Sequence, residues 1–392
     1  MSSTKVEFPK GFFWGAASSS YQAEGDITNT DWAKASRESK VPLSDSGPDH
    51  YNRYNEDFDL AKSLGHNCHR ISIEWARIEP DEGKFDQEAI EHYKKVLQAL
   101  IDRGITPFVT IWHFTLPQWI SDKGGVECSD FPIYFSRYAR FIVSSLHEYC
   151  NYWATMNEPS IYASLGWLTG EWVPFKKKKL LLYFRIKNNL VKAHKEAYKA
   201  IKELDILTDV GIVEQNAYFH SDLKLWNKIS VIFLNWINNY SFLNQIIKYL
   251  DSIGVNYYHH RYLGKKINVI EKNDMGWEIF PEGIYHVLVG LEKYKKPIYI
   301  SEAGIADETD LKRSQYIKDL IYWMHKAFEK GVQLKGYMYW SLTDNYEWAE
   351  GYKKRFGLIA INYETKERII RQSAFEYKKI CEENYLILEN IK

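Results

Sequence analysis

Cysteine is scarce: Cys68, Cys128, Cys150 and Cys381 are the only four in 392 residues, far apart and without a CxxC pair. Such spacing indicates neither a disulfide framework nor a zinc site, and a reducing cytoplasm suits it best. A charge excess is lacking as well. The 51 Lys and Arg offset the 51 Asp and Glu, so no long-range field favours nucleic acid, an anionic membrane surface or a polyanionic substrate. No apolar run reaches the roughly 18 residues of a membrane span. The opening MSSTKVEFPKGFFWG lacks the basic, apolar and small-residue succession of a secretory leader. No linker rich in Pro, Gly and Ser divides residues 1–392, which are read as one unit. The partner these absences leave is small or neutral, and they carry no signal of oligomeric state.

Aromatic residues are plentiful, at 16%, with 14 Trp and 29 Tyr. Most fill a large core; some present flat faces and polar edges of the kind that suit a sugar ring. Helical and strand patterns alternate along the whole chain. Short apolar runs read as strands in FFWGAASSS, HRISIEW, TPFVTIW, YWATMNE, VGIVEQ, IGVNYY, PIYISE and LKGYMYW, each bounded by turn residues. Helical periodicity falls at 51–63, 87–103, 133–148, 180–204, 242–249, 285–294 and 314–330, with Gly65 and Gly104 as stops. Strands apolar enough to be buried on both faces, alternating with helices, predict a closed parallel (β/α)8 barrel. A doubly wound open sheet is the alternative, but AASSSYQ is not its glycine-rich phosphate turn.

Active sites of such barrels lie at the C-terminal ends of the strands, where Gln22, Arg70, His113, Asn157, Glu158, Tyr258, Glu302 and Trp340 all fall. Two of these are glutamates closing apolar runs, Glu158 in TMNEP and Glu302 in ISEAG. Either glutamate alone reads equally well as a buried ion-pair partner. Together they suit cleavage of a glycosidic bond, in which one carboxyl group moves a proton while the other attacks carbon or activates water.

TMNEP, ISEAG, YQAEG, WHFTLP, GVNYY and YWSLTDNYEWAEGYKKRFGL, taken in order along nearly the whole chain, resemble glycoside hydrolase family 1, the β-glucosidase family. The resemblance implies a retaining β-glycosidase without metal or cofactor, with Glu158 as general acid/base and Glu302 as nucleophile. It implies Arg70 and Tyr258 as supports of the nucleophile, with a structural salt bridge as a compatible role for Arg70. Asn157 is expected to bind the 2-hydroxyl. Gln22, His113, Glu347 and Trp348 are expected to take the remoter hydroxyls, over a floor made by Trp340. Trp277 and Phe356 border the pocket and Asn256 supports its mouth, although a strand-end Asn can instead satisfy backbone. His113 by itself reads as a core histidine. Retention further calls for carboxyl groups about 5–5.5 Å apart.

Glu347 bears on a close alternative, a 6-phospho-β-glycosidase, because a carboxylate there repels phosphate. Lys353, Lys354 and Arg355 read as loop residues outside the pocket. A binding or structural barrel with impaired catalysis is the alternative of a different class. The sequence departs from the family pattern at Phe114 and Thr115, at Ser160 and at Ala303. It is also short for the family, around 214–253 and 262–277, which suggests a more exposed or mobile leaving-group side.

Overall fold

The computed structural model describes residues 3–204, 206–265 and 270–389. Twelve strands run in chain order: β1 (Ser3–Glu7), β2 (Phe13–Ala17), β3 (Cys68–Ser72), β4 (Thr106–Trp112), β5 (Tyr152–Asn157), β6 (Asp209–Ser221), β7 (Ile253–Leu263), β8 (Ile298–Ala303), β9 (Leu334–Trp340), β10 (Ile359–Ile361), β11 (Arg368–Ile370) and β12 (Tyr385–Glu389). Strands β2 to β9 form a closed parallel barrel in sequence order, with β2 pairing β9 to shut it. These are the eight predicted strands. Parallel pairing demands a crossover between neighbours, and the long helices supply it on the outer face.

The helix Gln87–Asp102 shows how local sequence sets an element. Asp86 caps it, accepting from the amides of Glu88 and Ala89 at 2.8 and 3.0 Å. Its buried stripe Ile90, Tyr93, Val96, Leu97 and Leu100 faces the barrel. Gly104, at φ +67°, turns the chain out of the helix as its lack of a Cβ permits.

Three features lay beyond the pattern reading. Strands β1 and β12 pair antiparallel and bring the two ends of the chain together, and Asn384 reinforces the clasp by accepting from the Trp14 indole at 2.9 Å. A helix at Gln372–Glu383 completes the ring after β9. The segment 214–253 is also not a bare connection. Strands β6 and β7 continue past the barrel as a two-stranded ribbon pairing Ala217–Ser221 with His259–Leu263, and the helix Leu225–Asn235 lies against it. Of 262–277, residues 266–269 lie outside the described residues.

Candidate active site

A cavity of about 380 Å³ opens at the C-terminal ends of the barrel strands, a size suited to a small ligand. Gln22, His113, Asn157, Glu158, Tyr258, Trp277, Glu302, Trp340, Glu347, Trp348 and Phe356 all line it. Residues from six barrel strands or the turns just beyond them therefore meet in one place.

Glu302, near the end of β8, is the most heavily supported carboxylate. Arg70 in β3 pairs with its Oε1 through Nη1, and the Tyr258 hydroxyl donates to its Oε2 at 2.9 Å. The guanidinium is itself fixed: Nη2 donates to Asn157 Oδ1 and Nε to Thr110 Oγ1, both at 2.8 Å. A planar fork held at three points cannot swing away from the carboxylate.

Glu158 has no cation in contact. It accepts from Asn256 Nδ2 at 2.7 Å, and Ser301 holds that amide by donating to Asn256 Oδ1 at 2.9 Å. Burial pushes the Glu158 carboxyl well above its ordinary range, and the charge of Glu302 adds to this. Burial also raises Glu302, but Arg70 and Tyr258 oppose it. Where two adjacent carboxyls share one proton, the proton belongs on the group without the cation. Of the two causes that raise Glu158, burial is the larger.

The backbone is strained where these groups are presented. Phe114, Glu158 and Trp348 have φ of +73°, +42° and +49°, a region that costs a non-glycine residue on the order of 1–3 kcal/mol. Hydrogen bonds hold Glu158 there, since its amide donates to Val213 O at 2.8 Å while its carbonyl accepts from Ile161 and Tyr162 at 3.0 Å. The turn aims the carboxyl inward and starts the helix Pro159–Ser164.

Two other groups of the cavity wall are different. Glu347 Oε2 and His113 Nδ1 are buried and find no hydrogen-bond partner among the described residues. Burial pushes the Glu347 carboxyl up to about 8, with the charge of Glu302 contributing. Burial and the nearby Arg70 hold the His113 imidazole well below its usual value, so it is neutral. Its ring lies near parallel to Trp340 and Trp348, with centroids 6.1 and 6.2 Å away. An orphaned nitrogen at the cavity wall is not that of a satisfied core histidine.

The sequence matches glycosyl hydrolase family 1 over residues 4–222 and 224–386. The chain belongs to that family. It is 35% identical to β-glucosidase A of Thermotoga maritima, an alignment covering 97% of this chain and 99% of that protein. It is 30% identical to a β-galactosidase of Sulfolobus acidocaldarius, covering 97% and 96%. The structure of a Thermotoga maritima β-glucosidase in complex with glucoimidazole superposes with a TM-score of 0.92 at 33% identity, covering 97% and 99% of the two chains. The first alignment runs over 441 positions, more than the 392 residues of this chain, so the relative carries segments absent here.

As a family 1 β-glycosidase the chain calls for some corrections to the sequence reading. Asn256 does not line the cavity. It is fully buried and serves neither ligand nor backbone, because both ends of its amide are spent holding Glu158 and Ser301. Gln22 does line the cavity, but its Nε2 donates to Tyr346 O at 2.8 Å and Asn345 Oδ1 at 3.3 Å, and its Oε1 accepts from Ser19 at 2.7 Å. Only acceptor capacity on Oε1 is left for a ligand.

The substituted positions face away from the cavity in part. Thr115 donates to the buried Glu74 at 3.0 Å, and Ser160 donates to Glu214 at 3.0 Å. Phe114 lines the wall and packs edge-on against Trp172 at 4.8 Å.

Several contributors escaped the sequence reading. Trp172 lines the wall, and Thr110 anchors Arg70. Glu214 lies near Glu158, its carboxyl pushed up to about 7 by burial. A charged residue inside the apolar VGIVEQ was its signal. Asp344 fixes the loop that carries Glu347: it is fully buried and accepts from Arg371 Nη1 and Nη2 at 2.9 and 3.0 Å and from the Gly357 amide at 2.9 Å.

Proposed function

We propose that this family 1 enzyme is a retaining β-glycosidase that hydrolyses unphosphorylated β-D-glucosides, with β-D-galactosides and β-D-fucosides as further candidates. The observation that carries the reading is the asymmetry of the two carboxyls: Glu302 is held by Arg70 and Tyr258, while Glu158 touches only the neutral amide of Asn256.

Glu302, kept ionised by Arg70, attacks the anomeric carbon while Glu158 gives its proton to the departing glycosidic oxygen. A glycosyl ester on Glu302 results, and its charge is gone. Without that neighbouring charge Glu158 becomes a stronger acid, stays ionised after donating, and removes a proton from water as water attacks the ester. Water releases the sugar with its original β configuration, and the proton restores Glu158. Asn157, with Oδ1 pinned by Arg70 and Nδ2 3.4 Å from His113 Nε2, takes the 2-hydroxyl in this reading. This contact strengthens as charge develops on the ring.

The unphosphorylated substrate follows from the lining. Glu158, Glu171, Glu302, Glu347 and Glu350 face the cavity, and no lysine or arginine does among the described residues. Lys354 donates to Asp274 O and Arg355 approaches Asp344, so neither serves as a phosphate cradle. The orphaned Glu347 Oε2 and His113 Nδ1 suit sugar hydroxyls. Glucose and galactose differ in the direction of one such hydroxyl, and relatives named for both activities support keeping both substrates in view.

Residues 1–392 act in this reading as one catalytic unit, and the four free thiols fit a reducing cytoplasm. A panel of aryl β-glucoside, galactoside, fucoside, mannoside and 6-phosphoglucoside tests the proposal. Turnover led by the glucoside is expected. Preference for the phosphorylated sugar would refute the reading of the lining, and sugar binding without turnover would favour an impaired barrel.

A further inference from the structure

The helix Leu225–Asn235 is built inside out. Leu225, Trp226, Ile229, Ile232, Phe233 and the following Trp236 fall within about 120° of arc at 3.6 residues per turn. In a globular protein such a stripe faces the core. Here every one of these side chains is exposed, Trp226 at 78%, and no residue of the helix is buried. The side nearer the β6–β7 ribbon is mixed: half-buried Val231 and Leu234 share it with two amides, Asn227 donating to Asp222 at 2.7 Å and Asn235 accepting from Asn239 at 2.9 Å.

A second exposed apolar cluster lies on another helix. Leu180, Leu181 and Phe184, with Leu181 at 88%, open the helix Leu180–Lys202. The two segments are tied together by Lys187, whose Nζ donates to Ser241 Oγ at 2.7 Å and Ile237 O at 3.3 Å.

Charge identifies the occupant. Neither 172–195 nor 223–250 contains an Asp or Glu, in a chain of zero net charge. Exposed cations flank the apolar faces: Lys177, Lys178, Lys179 and Arg185 on one segment, Lys224 and Lys228 on the other. Three acids border these segments: Glu127, paired with Lys176, Asp222, which accepts from Asn227, and the exposed Glu171; the six exposed cations outnumber them. A symmetric contact between two copies would set like-charged rims against each other. An anionic bilayer answers both features, taking Trp, Phe and Leu at the acyl boundary while its headgroups neutralise the lysines. Among the described residues no helix is long and apolar enough to cross a membrane, so the contact is peripheral.

We infer that the face formed by the helix Leu225–Asn235 and the start of the helix Leu180–Lys202 docks on an anionic lipid surface. Balanced overall charge hid this from composition, because the charge is segregated by segment. Flotation of the full chain with phosphatidylcholine vesicles, with and without phosphatidylglycerol, tests it. Binding is expected only with phosphatidylglycerol, with blue-shifted tryptophan emission, and weaker as salt rises. Two variants, Trp226→Ser with Phe233→Ser, and Lys177→Glu with Lys178→Glu and Lys179→Glu, should each weaken binding about tenfold or more. Both should keep wild-type turnover of an aryl glucoside, which reports an intact fold. No binding, or binding equal on both vesicle types and unchanged in the lysine variant, would overturn the inference. So would a wild-type dimer, unable to float, that Phe233→Ser converts to monomer.

Discussion

Two sets of groups in one cavity are built on opposite principles. Around the two strand-end glutamates each polar group already has a protein partner: Glu302 holds Arg70 and Tyr258, Glu158 holds Asn256, and Asn157 and Thr110 hold Arg70. In the other set Glu347 Oε2 and His113 Nδ1 are buried with none among the described residues. Catalytic groups fixed before substrate arrives avoid reorganisation during the reaction. Receptor groups left open by the protein can take a ligand's hydroxyls, so a sugar that displaces water but lacks one leaves a buried polar atom unpaired and is disfavoured.

Substitutions can break this contrast in either set. Glu302→Gly should lower kcat/KM on an aryl β-glucoside on the order of 10⁴-fold or more, since the attacking atom is lost. Glu158→Gln should cost about 10²–10⁴-fold, with the smaller loss for aryl groups that leave without a proton. Arg70→Met leaves Glu302 buried beside Glu158 without its cation. Its acid-limb pKa in the kcat/KM profile should rise by about 1–3 units, and stability should fall by roughly 3–5 kcal/mol.

Glu347→Gln tests the open set in two directions. Near pH 7 the carboxyl is protonated and its contact to a hydroxyl is worth about 0.5–1.5 kcal/mol, so kcat/KM should fall by roughly 2- to 10-fold, measured with the same aryl glucoside. Stability should move the other way with pH. The folded carboxyl keeps its proton to about 8, whereas the unfolded one loses it near 4.3. Between those values the folded state binds more protons and stability falls as pH rises. Thermal melts should therefore show the Gln variant little changed at pH 5 and stabilised at pH 9. His113→Phe keeps the ring between Trp340 and Trp348 but loses the nitrogen. A loss of about 1 kcal/mol, or roughly fivefold in kcat/KM, is expected.

Most of the barrel was legible because its strands are uniformly apolar and its helices carry a regular 3.6-residue stripe. The predicted TPFVTIW, for instance, is β4 from Thr106 to Trp112 without a shift. Legibility failed where the reason for an element is remote or reversed. Strand β1 exists only because β12 returns from the other end of the chain. The helix Leu225–Asn235 turns its apolar side outward, and its sequence was read as part of a shortened connection.

In the cavity, residue types at strand ends located the site, but their hydrogen-bond partners were hidden. Asn256 was expected at the mouth and stands behind Glu158. Gln22 was expected to take a hydroxyl and has its Nε2 already engaged by Tyr346 and Asn345. Such assignments depend on which neighbour lies within 3 Å, and no pattern in one chain reports that.

The central claim is the division of labour between Glu302 and Glu158, and azide rescue of Glu302→Gly and Glu158→Ala measures it directly by the configuration of the glycosyl azide formed. With Glu302 gone, azide enters the vacated face and should give the α-glycosyl azide in one displacement. With Glu158 gone, azide attacks the glycosyl ester on Glu302 and should give the β-glycosyl azide. The opposite pairing of variant and configuration would contradict the account.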